Sequence, residues 1–207
     1  MTERSHRLET RAVPVLPRGL ALTDDLLRIA VIAGDLVNTF NPLNDTDYLR
    51  DADNLNYVVS DHPWPLPVGT PDDVEPARRL RDRLGLVFRN AAYGELDALL
   101  LEHPPSLALA PVDDGPHRLL VETAQSDLPA VLAAQMALAL SVFLADPSAG
   151  SLDVCEGPEC NNVAVRRGSA PAACSDRCRT ALDASPPRPG RPARGRTAPR
   201  GGRTPRR

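Results

Sequence analysis

Lysine is absent from the 207 residues, so all 24 basic side chains are arginine, set against 27 carboxylates. Aromatic residues make up only 3% of the chain and none follows Phe143. Base stacking, the main device of single-strand nucleic-acid binders, is therefore unavailable to the C-terminal part. The opening Met1-Thr2-Glu3-Arg4-Ser5-His6-Arg7 has no apolar run behind it. No secretory leader is expected, and the chain reads as cytoplasmic. No nucleophile–base constellation or phosphate-cradling glycine loop is visible, and His6, His62, His103 and His117 are scattered. An enzyme is not expected.

The net charge of −3 conceals two unlike pieces. Residues 1–165 sum to −13, whereas residues 166–207 sum to +10. That split excludes a uniformly basic packaging protein and points the basic end towards a polyanion. Apolar content of 42% is enough for a packed core.

The pattern along the chain predicts a mainly α body with one small β-hairpin, an α+β arrangement. Residues 1–20 read as a flexible lead-in. Thr23-Asp24-Asp25 is a helix-start signal, and the apolar run behind it predicts a helix continuing towards Phe40, stopped by Asn41-Pro42. A second helix is expected over Tyr48–Val59. A third opens at Pro71-Asp72-Asp73, with Val74, Ala77, Leu80, Leu84 and Val87 on its apolar face. Arg78, Arg79, Arg81 and Arg83 read as the solvated face of that helix. Gly94–Leu101 predicts a short helix, and two apolar runs around Asp114-Gly115 predict a hairpin of 106–110 with 118–122. Leu128–Ala145 is 18 residues without a charge, near the length of a membrane span. Six of those residues are alanine, and Asp127 and Asp146 bracket the run, so a buried core helix is expected and membrane contact is not.

The four cysteines fall within 24 residues, as Cys155-x4-Cys160 and Cys174-x3-Cys178. Two close pairs across a short loop suit one tetrahedral ion, and four sulfur ligands leave no open position for catalysis. One structural Zn2+ is expected, with two disulfides or free thiols as the other options, disulfides being disfavoured without an oxidising compartment. Gly157-Pro158 would form a tight first knuckle, and Ser175 would cap a helix starting after Cys174. Arg166, Arg167, Arg177 and Arg179 lie around the cysteines, where they would offset thiolate charge or contact phosphate.

From Ser185 to Arg207 the chain holds six prolines, four glycines and eight arginines in 23 residues, and no large apolar group. Such a segment is expected to be disordered when free. Its Arg188, Arg191, Arg194 and Arg196 join the four finger arginines as candidate nucleic-acid contacts. Gly190-Arg191-Pro192 and Arg194-Gly195-Arg196 resemble pieces of an AT-hook, but the complete Arg-Gly-Arg-Pro motif is missing.

Three features together carry a family resemblance: Gly34-Asp35-Leu36-Val37-Asn38-Thr39, Ala77-Arg78-Arg79-Leu80-Arg81, and an alanine-rich helix running into Val154-Cys155. With them the chain resembles the ABATE-domain proteins, bacterial proteins that carry a C-terminal CGNR zinc finger. The likeness covers about residues 30–180. It implies a stress-responsive transcription regulator with a sensor body at 21–150, a treble-clef-like four-cysteine finger at 151–184 and a tail at 185–207. The signature Cys-Gly-Asn-Arg stands here as Cys178-Arg179-Thr180-Ala181, and Ala173 stands in place of the usual tryptophan. Asp35 and Asn38 are the candidate residues for a small-molecule effector; hydrogen bonding of Asn38 and Thr39 to the backbone at a helix end is the alternative. Duplex DNA is the expected partner, reached mainly through phosphate. A zinc-stabilised protein-interaction adaptor is the competing function.

Overall fold

The structure, a computed structural model, describes residues 23–110, 118–146, 148–168 and 170–184. The lead-in at 1–20, the Asp114-Gly115 turn and the tail from 185 lie outside the described residues.

Helix α1 (Asp24–Val37) starts where the Thr23 hydroxyl accepts the Leu26 N–H at 3.2 Å, with Asp24 and Asp25 in its positive first turn. It buries Leu26, Ile29, Ala33 and Leu36. The helix stops at Val37, short of the expected Phe40, because the last carbonyls are already taken. The Asn38 N–H bonds to Gly34 O at 2.9 Å and the Thr39 hydroxyl donates to Leu36 O at 2.7 Å. Phe40–Asn41 (β1) and Thr46–Asp47 (β2) then form a minimal antiparallel pair.

Helix α2 (Ala52–Val58) begins later than Tyr48. The Tyr48 N–H is bound to Thr39 O at 2.8 Å and the Leu49 N–H to the Asp47 carboxylate at 2.9 Å, which keeps the segment extended until Asp51 caps the helix. A 3-10 turn at Pro71–Asp73, closed by a reciprocal Thr70–Asp73 capping box, leads into α3 (Val74–Asn90). Ala91, at φ 53°, ends α3 in the left-handed conformation. Helix α4 (Gly94–Glu102) follows, then strands β3 (Ser106–Ala110) and β4 (Arg118–Glu122), the expected antiparallel pair, with Ser106 opposite Glu122.

Helix α5 (Leu128–Ala145), capped by the Asp127 carboxylate, is the centre of the body. It packs against α1, α3, α4 and β4 and is buried on nearly all sides, including Leu132, Met136, Leu140 and Phe143. This explains why its sequence is apolar all round: it is long and apolar enough to cross a membrane by length and composition, yet 78% of it is buried inside the fold. Within it Gln135 donates to Val121 O at 2.9 Å and so ties the hairpin to the core.

The third helix departs from expectation in its arginines. Only Arg79 has the character of a solvated face, with 64% of its side chain exposed. Arg81 is buried: it donates to Asp47 at 2.8 Å and Asp82 at 3.0 Å and lies 5.3 Å over the Phe40 ring. Arg78 donates twice to Leu49 O, at 3.0 and 2.8 Å. Arg83 reaches Glu95 and Glu102 and joins α3 to α4. For Arg78 and Arg81 the cause is the segment 47–49, which passes across α3 and offers a carboxylate and a carbonyl; for Arg83 it is the two glutamates of α4.

After α5 come β5 (Ser151–Val154), β6 (Val163–Arg166) and α6 (Asp176–Asp183). Strands β5 and β6 pair antiparallel with Ser151 opposite Arg166, so the described residues hold three small antiparallel pairs where one was expected. The hairpin lies on α1 and α3, and Val163 enters the same apolar core as the body helices, flanked by Leu152 and Val165.

Candidate metal centre and the groove beside it

The first cysteine pair sits at the turn of the β5–β6 hairpin and the second at the start of α6, a treble-clef-like arrangement. Local sequence dictates both halves. The Ser175 hydroxyl accepts the Cys178 N–H at 3.3 Å and starts α6, which places Cys174 and Cys178 one turn apart. In the first knuckle Cys160 N–H bonds to Gly157 O at 3.2 Å, and Glu159 takes φ 55° to close the turn. Gly157 is needed for closeness: a Cβ there would lie 3.0 Å from Cys178 Sγ and 3.4 Å from Cys155 Sγ.

All four Sγ atoms lie within 4.8 Å of one another, and none is in a disulfide. A tetrahedron with metal–sulfur bonds near 2.3 Å has edges of about 3.8 Å. The Cys160–Cys174 and Cys174–Cys178 sulfurs are 3.6 and 3.7 Å apart, so the four thiols fit one tetrahedral ion. Backbone donors already point at the sulfurs: the Gly157 and Cys174 N–H groups each reach Cys155 Sγ at 3.4 Å. Asn162 Nδ2 reaches Cys174 Sγ at 3.7 Å. Donors of this kind stabilise thiolates on a metal. Without an ion, burial and the neighbouring thiols push the Cys174 pKa up to about 12, whereas the Ser175 hydroxyl lowers that of Cys178. A cation is what allows the whole set to ionise.

The finger is fastened to the body by Asn38. Its Nδ2 donates to Val163 O at 3.0 Å, and its Oδ1 accepts the Val163 N–H at 2.7 Å, so one side chain satisfies both backbone groups of the first residue of β6. Asn162, next in the chain, reaches Cys174 Sγ and accepts the Cys155 N–H at 2.7 Å through its own carbonyl. A continuous path of hydrogen bonds therefore runs from the end of α1 to two candidate metal ligands. Arg89 of α3 adds a longer contact to Asn161 O at 3.5 Å.

The other candidate residues divide sharply. Both amide atoms of Asn38 are engaged at the finger junction. The backbone alternative for its neighbour is realised through the Thr39–Leu36 bond. Asp35 lines a groove of about 470 Å³ between α1, β6 and the start of α6, together with Val31, Val165, Ser175, Asp176 and Arg179. Asp35 is open to solvent, yet the protein around it and then the Asp61 carboxylate raise its pKa above the usual value. Of the finger arginines, Arg166 is held within the hairpin by Asp153 at 2.8 Å and the Ser151 hydroxyl at 2.7 Å. Arg167, Arg177 and Arg179 are exposed. Arg188, Arg191, Arg194 and Arg196 lie outside the described residues. Asn162 was not singled out from sequence, where an Asn-Asn pair between two cysteines looks like a simple loop.

Comparison with curated proteins gives no match. A family match covers residues 30–147, which include the Asp35–Thr39 and Ala77–Arg81 motifs and the whole of α5. That span is more than half of the chain, and the chain belongs to the ABATE family, described as "putative stress-induced transcription regulator".

Proposed function

We propose that this protein is a zinc-binding transcription regulator whose finger and basic tail contact duplex DNA while the helical body senses a ligand or stress signal. The four-thiolate cluster, on a finger clasped to the body of a regulator family, is the observation that carries the reading. Zinc fits it best because four soft sulfur donors in a tetrahedron, closed to substrate, are a structural zinc set. Arg167, Arg177 and Arg179 give the finger exposed cations, and the arginines beyond residue 185 add a sequence-independent attraction to phosphate. No aromatic side chain is available there for stacking, which favours duplex over single strand. The body carries the opposite charge and is the part that meets an effector, in the cytoplasm. No catalytic step is assigned to it.

The experiment is retention of labelled duplex DNA by the zinc-loaded chain across a salt series. The reading expects tight retention at low salt, a steep fall as salt rises, and weaker retention by Cys174→Ser. Absence of retention at low salt would remove it. A second reading, an interaction adaptor in which the metal only folds a docking knob, is favoured by the engagement of Arg166 with Asp153 and by the altered Cys178-Arg179-Thr180-Ala181 signature. It expects equal DNA affinity for wild type and Cys174→Ser.

A further inference from the structure

We propose that the groove between α1, β6 and α6 is a binding site for a small organic cation, an amine bearing a short apolar body. The proposal rests on the sensing half of the reading above and supplies the place and the chemistry of the signal. The groove measures about 470 Å³, within the range of sites that take small molecules. Its walls are apolar where α1 meets β6, with Gly34 and Val163 at the junction and Val165 further along the strand. Val31 stands at its edge, 44% exposed.

Charge sets the sign of the occupant. Asp35 comes from α1 and Asp176 from α6, and Arg179 is the only cation among the lining residues. None of the three forms an ion pair with another described residue. Cys174 also lines the groove, and four thiolates around a dication leave a formal charge of about −2 at that wall. Two carboxylates and an anionic cluster against one guanidinium favour an ammonium group over a carboxylate or phosphate. An ammonium beside Asp35 would also relieve its repulsion by Asp61. The apolar walls would take the hydrocarbon part. A molecule held by Asp35 and Asp176 together would join α1 to α6, reinforcing the Asn38–Val163 clasp and fixing how the finger stands on the body.

The test uses the zinc-loaded full chain at neutral pH, with n-hexylamine, hexanoate and 1-hexanol as probes and backbone amide NMR shifts as readout. At about 10 mM, hexylamine should move the amides of Asp35, Val165 and Asp176, while hexanoate and hexanol should not. The D35N/D176N double variant should bind hexylamine about fivefold more weakly, and D35N alone, at an exposed helical position, about twofold. Unmoved amides with hexylamine, equal shifts with hexanoate or hexanol, or undiminished binding by D35N would each overturn the proposal. Zinc content and helical circular dichroism check that the variants are folded. DNA retention is followed on the same samples without amine: amine binding without retention keeps the groove and removes the regulator, and retention without amine binding does the reverse.

Discussion

The body and the finger of this protein are held together by different physics. In the body, α5 is buried on nearly every side, and Leu26, Ile29, Leu84, Leu99, Leu132 and Phe143 have essentially no contact with solvent. Each such side chain contributes about 1.5–3 kcal/mol by leaving water. In the finger, α6 has no buried residue, and Cys155, Val163, Ala164 and Ala172 are its main buried side chains. So little apolar surface cannot offset the entropy of ordering a hairpin and a helix. The finger is therefore expected to depend on an ion at its four cysteines and on the docking of Val163, and the body on neither. The charges divide elsewhere: residues 1–150 sum to −10, the finger at 151–184 to −1 and residues 185–207 to +8. The part with a self-sufficient core carries most of the negative charge, and the part with little core of its own is close to neutral.

Substitutions can break that contrast in order of size. Cys174→Ser, removing one of four sulfur donors, should lower zinc affinity more than about 100-fold in a chelator competition, with the body's helical signal preserved. Leu132→Ala, at a fully buried site in α5, should cost the body about 3 kcal/mol in chemical denaturation and leave zinc affinity unchanged. Asn38→Ala removes two hydrogen bonds across the junction and should cost about 2 kcal/mol, with hydrogen exchange rising in β6 before it rises in α5. It is the one change here expected to disturb both regions.

The smallest effect belongs to acid titration. Burial alone would raise the pKa of Asp47, but hydrogen bonds from Arg81 and the Leu49 N–H, with the charges of Arg81 and Arg78, hold it below its ordinary 3.8. A carboxyl depressed in the folded state stabilises the fold above its unfolded pKa, and that contribution is lost as pH falls through the folded value. Asp47→Asn should therefore flatten the acid side of the stability profile of the body while zinc release by acid proceeds as in wild type.

Much of the local structure could be read from the chain because its signals are local. Thr23, Asp127 and Ser175 each precede a helix and each accepts a backbone N–H within three residues. The β3–β4 pairing follows from two apolar runs, and the cysteine spacing foretells that the four sulfurs gather at one point. What could not be read depends on partners remote in sequence. Asn38 and Val163 are 125 residues apart, and nothing near Asn38 signals that its amide will satisfy a strand. Arg81 looked solvated because its helix is rich in arginine; the Asp47 that draws it inward is 34 residues away. The groove was invisible for the same reason, since Asp35 and Asp176 line one groove only once the finger lies on α1.

The most direct test of this account is hydrogen exchange on the full chain before and after chelation of its metal under reducing conditions. The account predicts that protection collapses across 151–184 while α1, α3 and α5 keep theirs. Retention of protection in the finger without metal, or its loss throughout the body on chelation, would contradict it.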